Sequence, residues 1–261
     1  MISTWTAAGL DATLDGCRLD DFDAMWSLEL GFVEEPNVRR GGWSGVSVAE
    51  LSTANGRRTV YVKRQANHVI RSVFHPVRGE PTLHREFDQL RRFRGHDIRV
   101  PEPLHYAHRT FEGEWRAILI VAEVPGISLE DWVESSYGTS DRVTRVAIIA
   151  AVAAVCRSMW DLRFEHRALY PKHLFLDLDR EPVAAGLIDL EKTRHRQFHP
   201  SFRVRDLDAL NRRTPRVSRT DRLRFLCRVL GARSSDPRVR RCWRRLVARA
   251  AARRVRPGRG Q

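Results

Sequence analysis

His166-Arg167-Ala168-Leu169-Tyr170-Pro171-Lys172-His173, with Leu187-Ile188-Asp189-Leu190-Glu191 shortly after it, is the stretch from which the rest of the chain can be read. The first segment is a polar loop carrying two imidazoles and two cations. The second is a short apolar strand closed by an acid. A carboxylate at the end of a rigid strand is a hard oxygen donor, suited to a cation such as Mg²⁺, which prefers oxygen and keeps several of its waters. Imidazole nitrogen is a poor magnesium ligand, so His173 is expected to orient phosphate or structure instead.

Upstream of the loop, residues 140–161 carry a long apolar pattern that predicts a helix capped by Ser140 or Asp141. Trp132 and Trp160 read as core anchors of this helical half. Leu174–Leu176 and Gly186–Leu190 read as short strands, followed by helix to the end. The half before Val124-Pro125-Gly126 has a different texture. Gly45–Leu51, Thr59–Lys63, Leu104–Arg109 and Trp115–Val121 alternate in polarity and read as strands, with Asn55-Gly56 turning the first pair. One helix interrupts them, Thr82–Arg94, marked by Leu83, Phe87, Leu90 and Phe93. The expected divisions are an N-terminal extension (1–37), a β-rich lobe (38–123), a helical lobe (124–236) and a basic tail (237–261). A helix near Leu19–Leu30 and a strand near Gly31–Val33 are expected in the extension. The fold class is α+β, in two lobes with a cleft.

Four features then fall in order. Arg40-Gly41-Gly42-Trp43-Ser44-Gly45-Val46 opens a hairpin, where glycines let backbone N–H groups approach phosphate oxygens. Val60-Tyr61-Val62-Lys63 ends the next strand, in a pattern that resembles the lysine strand of protein kinases. Glu86 lies in the lone helix of that half, where a kinase glutamate pairs with the lysine. The loop His166–His173 matches the kinase pattern H-R-D-L-x-x-x-N at His, Arg and Leu, with Ala168 for Asp and His173 for Asn. Asp189 then stands where the metal-binding aspartate would be.

On these residues, together with Val100-Pro101-Glu102-Pro103, Arg205-Asp206-Leu207 and Asp221–Leu226, the chain resembles the Kdo/WaaP lipopolysaccharide kinases and their InaA-like branch. The likeness covers about residues 38–231. It implies a protein-kinase-like bilobal fold and phosphoryl transfer from ATP, with Mg²⁺, to a sugar hydroxyl of the lipopolysaccharide inner core. By that likeness Lys63 anchors the phosphates, Glu86 orients Lys63, Asp189 holds the metal, and His166 and His173 belong to the catalytic loop. Gly41, Gly42 and Gly45 would cover the nucleotide, and the backbone at Glu123 and Val124 would take the adenine. Arg167, Lys172 and Lys192 would face phosphates of donor or acceptor.

Ala168 is the departure. An aspartate there accepts the proton of the attacking hydroxyl, a contribution of about 10²–10⁴ in rate. His173 or Glu191 could substitute, and a pseudokinase that scaffolds or regulates is the rival reading.

Composition narrows the setting. Of 46 basic side chains only Lys63, Lys172 and Lys192 are lysines, and the formal charge is +14. Ten of the arginines lie between Pro237 and Gln261 without a single acid, leaving +4 for the remainder. Val239, Cys242, Trp243, Leu246, Val247 and Ala250 recur there with helical spacing. A basic amphipathic helix suits an anionic membrane surface, or a packed position with a solvated face; nucleic acid is the weaker alternative, supported by charge alone. Four scattered cysteines without a CxxC pair argue against a zinc site or disulfide framework. No HExxH or serine elbow is present. The remaining histidines, among them His75, His105, His108, His195 and His199, form no metal-ligand spacing. A start without a basic or apolar leader predicts a reduced, cytoplasmic chain, peripheral on the inner face of the membrane.

Overall fold

Alternating burial along residues 42–66 gives the first half its architecture. The computed structural model describes residues 3–39, 41–70, 79–196 and 202–255; Arg40, His75, His199 and the tail past Val255 lie outside them. Contacts divide the chain into two units, Met1–His96 with Pro101–Glu123, and Asp97–Val100 with Val124–Gln261.

The first unit is an eight-stranded antiparallel sheet. Its strands are β1 (Ser3–Thr6), β2 (Ala12–Leu14), β3 (Cys17–Arg18), β4 (Asn37–Arg39), β5 (Gly42–Thr53), β6 (Gly56–Ala66), β9 (Pro103–Phe111) and β10 (Glu114–Ala122). They run in the order β1-β9-β10-β6-β5-β2-β3, with β4 also on β5. A separate small ribbon pairs β7 (Val69–Ile70) with β8 (Glu80–Pro81). Thr53 pairs with Gly56, so Ala54-Asn55 forms the tight loop between β5 and β6. Cross-strand partners point to the same face of a sheet. Two faces therefore separate cleanly. Val60, Val62, Ile118, Ile120 and Leu51 fill one core together with Leu14, Leu19, Phe22 and Met25. On the other face Tyr106, Leu119, Lys63 and Val46 form one row across four strands. Helix α2 (Thr82–Arg94) packs on this second face, with Phe87 stacked on Tyr106 at 4.7 Å.

Of the stretch 1–37, set apart as an extension in the sequence, residues 3–37 belong to this unit. They supply β1 at one border and β3 at the other, and helix α1 (Phe22–Ser27) closes the first core. The strands run two to four residues, too short to show an alternation, and the helix is half the expected length.

The second unit is mostly helical: α3 (Leu129–Ser135), α4 (Arg142–Asp161), α5 (Phe202–Arg212), α6 (Arg219–Leu230) and α7 (Pro237–Val255). Two small sheets join them, β11 (Ile127–Ser128), β13 (Leu174–Asp177) and β14 (Ala184–Leu187) in one, β12 (Phe164–Glu165) and β15 (Arg194–His195) in the other. Asp141 caps α4, accepting from the Thr144 N–H at 2.7 Å. α4 is long and apolar enough to cross a bilayer, yet Ile148, Val152, Cys156, Met159 and Trp160 are buried and the helix packs on α6 and β14. The basic tail is likewise built in. α7 turns Val239 and Leu246 inward against α5 and α6, and Asp208 of α5 receives Arg249 and Arg253.

Candidate active site

In the first unit the site begins with the helix that carries Glu86. Leu83, Glu86, Phe87 and Leu90 share the i, i+3, i+4, i+7 stripe that α2 buries, so Glu86 is turned inward with the apolar residues. Its carboxylate, 3% exposed, meets Lys63 Nζ at 2.5 Å. Lys63 reaches it from the row on the α2 face of the sheet. The start of α2 has no side-chain cap of its own. Gln65, two residues beyond Lys63 on β6, does that work. Its Oε1 accepts from the Leu83 N–H at 2.6 Å, and its Nε2 donates to the carbonyl of His68 and to Thr82 Oγ1. One strand thus supplies both the lysine and the clamp that fixes the helix bearing its partner.

The glycines have packing reasons. Gly41 takes a positive φ of 76° in the β4–β5 turn, which favours glycine. A Cβ on Gly42 would fall 2.6 Å from the carbonyl oxygen of Ala66, and one on Gly45 would fall 2.3 Å from the ring of Phe32. Gly42 and Gly45 therefore sit inside β5, with their open sides already filled. Beyond Lys63 on its own face lie Val48, Tyr61 and Val121, with Val48 45% exposed. Glu123 follows β10; its N–H reaches the Thr59 carbonyl at 3.3 Å. Val124 opens the second unit.

In the second unit the loop 166–173 is held by Asp206 of α5. This carboxylate is fully buried and accepts three hydrogen bonds, from the N–H of His166 and of Arg167 at 2.8 Å each and from Trp160 Nε1 at 3.1 Å. Burial still raises it, to about 6, against those donors. Arg167 (φ 66°) and Asp189 (φ 58°) both adopt the left-handed region, a strain that marks functional backbone elsewhere. His166 Nε2 lies 3.1 Å from the Ile188 carbonyl, which can only accept, so Nε2 carries the proton. Burial, reinforced by His173, depresses His166 to about 4 and keeps it neutral. His173, in the 3₁₀ turn Pro171–His173, stacks on His166 and sets Nδ1 2.8 Å from the Ala168 carbonyl and Nε2 3.3 Å from Asp189 Oδ2. The Ile188 N–H returns to the His173 carbonyl at 3.0 Å, tying loop to strand. His166, His173 and Asp189 are thus brought together. Ala168 is buried beneath them. Arg167 and Lys172 are exposed on the loop, and Lys192 extends to solvent 3.8 Å from Glu191.

Gln65 and Asp206 carry much of this geometry, yet Gln65 went unread in the sequence and Asp206 was noted only as part of the family likeness, without a role. The available signal was a polar residue inside an apolar pattern: Gln65 beside Ala66 at a buried strand end, Asp206 ahead of Leu207 and Leu210.

Among the described residues no three His, Cys, Asp or Glu side chains form a ready ligand set for a metal. Asp189, 30% exposed, offers one hard oxygen donor. That suits an ion whose other ligands are phosphate oxygens and water, as kinase magnesium is held.

Comparison with known proteins bears on the family and the fold. A sequence model of the "Lipopolysaccharide kinase (Kdo/WaaP) family" matches residues 23–228. Protein InaA of Escherichia coli (strain K12) is 36% identical over 184 residues, spanning 69% of this chain and 81% of InaA. The solved structure of WaaP in complex with acyl carrier protein superposes with a TM-score of 0.65 at 21% identity, covering 90% of this chain and 91% of that one. The last likeness speaks for the fold, which is protein-kinase-like. With a matching family model over most of its length and a relative this similar, the chain belongs to the lipopolysaccharide kinase (Kdo/WaaP) family.

Proposed function

We propose that this kinase transfers the γ-phosphoryl group of ATP to a sugar hydroxyl of the lipopolysaccharide inner core or a related glycolipid. The observation that carries the reading is the 2.5 Å pair between Lys63 and a Glu86 turned into the core of its helix. Desolvating this pair, with Glu86 3% and Lys63 19% exposed, costs about as much as it returns in stability, so the pair is better explained by a task for the ammonium. Lys63 takes the α- and β-phosphates, and Glu86 keeps it from wandering. Val48, Tyr61 and Val121 offer an apolar bed to the base, with the Glu123 and Val124 backbone as its hydrogen-bonding edge. Asp189 holds Mg²⁺, which when bound neutralises charge on the bridging phosphates. Gly41 shapes the turn over the nucleotide; Gly42 and Gly45 act through packing of that hairpin. Arg167, Lys172 and Lys192 receive phosphates of donor or acceptor. The acceptor oxygen forms the new bond to phosphorus as the bond to the ADP oxygen breaks, and the hydroxyl proton passes to a phosphoryl oxygen or to water. Position 168 supplies no base, so rate comes from positioning and charge, which dominate phosphoryl transfer.

The outward arginines of α7 support a position against the anionic inner face of the cytoplasmic membrane as part of the same reading. The buried Ala168 is what favours the rival, a nucleotide-binding regulator without turnover. Thermal shift with millimolar ATP, with and without Mg²⁺, followed by phosphate transfer to purified rough lipopolysaccharide, separates them. Stabilisation plus transfer, both lost in Lys63→Met and Asp189→Asn, is expected. Stabilisation without transfer selects the regulator, and neither effect removes the nucleotide assignment.

A further inference from the structure

Three successive side chains of β6 go to three destinations. Lys63 meets Glu86, and Gln65 caps α2. Arg64, between them, points to the opposite face of the sheet. There it is 6% exposed and meets no carboxylate among the described residues. A cation taken out of water needs hydrogen-bond partners, and those of Arg64 are two carbonyls at the end of α1. Its Nη1 donates to Trp26 at 2.9 Å and to Leu28 at 2.7 Å. That contact directs the chain that follows. Ser47 Oγ donates to the Leu30 carbonyl at 3.4 Å, the Val33 N–H reaches the Val46 carbonyl at 2.8 Å, and Phe32 bridges to Ser47. Residues 30–33 therefore run beside β5. The Phe32 ring comes to rest on Gly45: the three atoms nearest a Cβ built there all belong to that ring. The Arg64 guanidinium lies 5.8 Å from the centre of the same ring.

The β4–β5 hairpin has little else to hold it. Gly41-Gly42-Trp43-Ser44-Gly45 combines three flexible residues with one large side chain. That side chain, Trp43, stands 5.6 Å from Trp26 and 6.0 Å from Phe32, the latter edge-on at 75°. Trp43 and Gly45 alternate with Val46, which pairs with Lys63. The aromatic group thus lies behind the hairpin, on the face of β5 turned away from Lys63.

We infer that residues 26–33 form a brace behind the glycine hairpin, with Phe32 as a positioning residue for the nucleotide. Its ring takes the place of a side chain at position 45 and stands against Trp43, which sets the turn at Gly41 over the phosphates without touching them. The inference rests on the nucleotide reading and adds to it a stretch, outside the residues that meet the nucleotide, that governs affinity for it.

The full chain carrying Phe32→Ala tests this. Phe32 is 41% exposed and stands outside the buried core cluster of its unit, so the fold is expected to survive. Hydrogen exchange without nucleotide should quicken over residues 37–47 and stay unchanged in α4. In the transfer assay, and in titration with a fluorescent ATP analogue, KM and Kd should rise by about tenfold, the weight of one aromatic contact, with kcat little changed. Phe32→Tyr should restore both readouts. Gly45→Ala, whose Cβ displaces the ring, should weaken ATP binding alike, and joined to Phe32→Ala should add little further loss. Phe32→Leu serves if the alanine variant melts abnormally. Unaltered exchange over 37–47, or quickened exchange with unaltered nucleotide affinity, overturns the inference and leaves nucleotide binding standing. Wild-type protein that binds no analogue removes the nucleotide reading and this inference with it.

Discussion

Single side chains in this protein are set against their solvent preferences, and each such placement has a measurable cost. Glu86 is buried with Lys63 as its visible counter-ion. Removing one member of a buried pair typically loses 3–5 kcal/mol because the other charge is stranded. Lys63→Met is therefore expected to destabilise by about 3 kcal/mol as well as to abolish transfer, and Lys63→Met/Glu86→Leu to recover most of the stability and none of the activity; urea unfolding beside the transfer assay reads both. A second consequence is pH dependence. Burial holds His105 and His166 near 4, below the ordinary 6.5, so both stay neutral when folded and their contribution is lost as pH falls from 6.5 through 4. Asp206, raised to about 6, works in the opposite sense: its contribution is present at low pH and is lost as pH rises through 6. His108, likewise held near 4 by burial, joins them, and three imidazoles against one carboxyl leave a net loss on acidification. Unfolding midpoints measured from pH 7 to 4.5 should fall, less steeply in His105→Gln and more steeply in Asp206→Asn. At this scale the pairing of Lys63 with Glu86 was legible because their residue types stand out in order along the chain. Asp206 was read only within the segment Arg205-Asp206-Leu207 that carries the family likeness; its task was hidden, because what it binds are backbone N–H groups forty residues away, and no side-chain pattern records them.

Elements in this fold depend on caps and clamps contributed from elsewhere. α2 follows Pro81, whose side chain caps nothing, and takes its cap from Gln65 of β6. Gln65→Ala leaves the Leu83 N–H without that acceptor. A cap of this kind is worth about 1 kcal/mol, and the helix it releases carries Glu86. The variant should lose about that much stability but a larger share, several-fold, of transfer rate, with KM for ATP raised; a loss confined to stability would contradict the positioning role. α7 is a mixed case. Its inner face was legible from spacing, and Val239, Trp243 and Leu246 do pack inward, Trp243 and Leu246 beside a cavity of about 90 Å³. What spacing could not show is that Arg249 and Arg253 are engaged by Asp208, while Arg240, Arg241, Arg244 and Arg245 face outward. Changing those four outward arginines to Glu should abolish salt-sensitive binding to phosphatidylglycerol vesicles and spare the fold. Equal binding by the variant would remove the membrane role.

Across the whole molecule, the long strands, α2 and α4 were readable because each carries enough residues for its period to repeat. Thr82–Arg94 falls as expected, and β5, β6, β9 and β10 each run longer than the alternation alone suggested. Residues 1–37 defeated the same reading, since a strand of two or three residues has no period and draws its hydrogen bonds from distant partners. Their placement has a practical corollary. The family likeness starts at residue 23, yet β1, β2 and β3 precede it. A protein trimmed to the family boundary would bare β9 along one margin and β5 along the other, and would strip Leu14 and Leu19 from the hydrophobic layer between sheet and α1. Unpaired margins of that kind recruit further copies, so such a shortened product is expected to precipitate on expression more readily than residues 1–261.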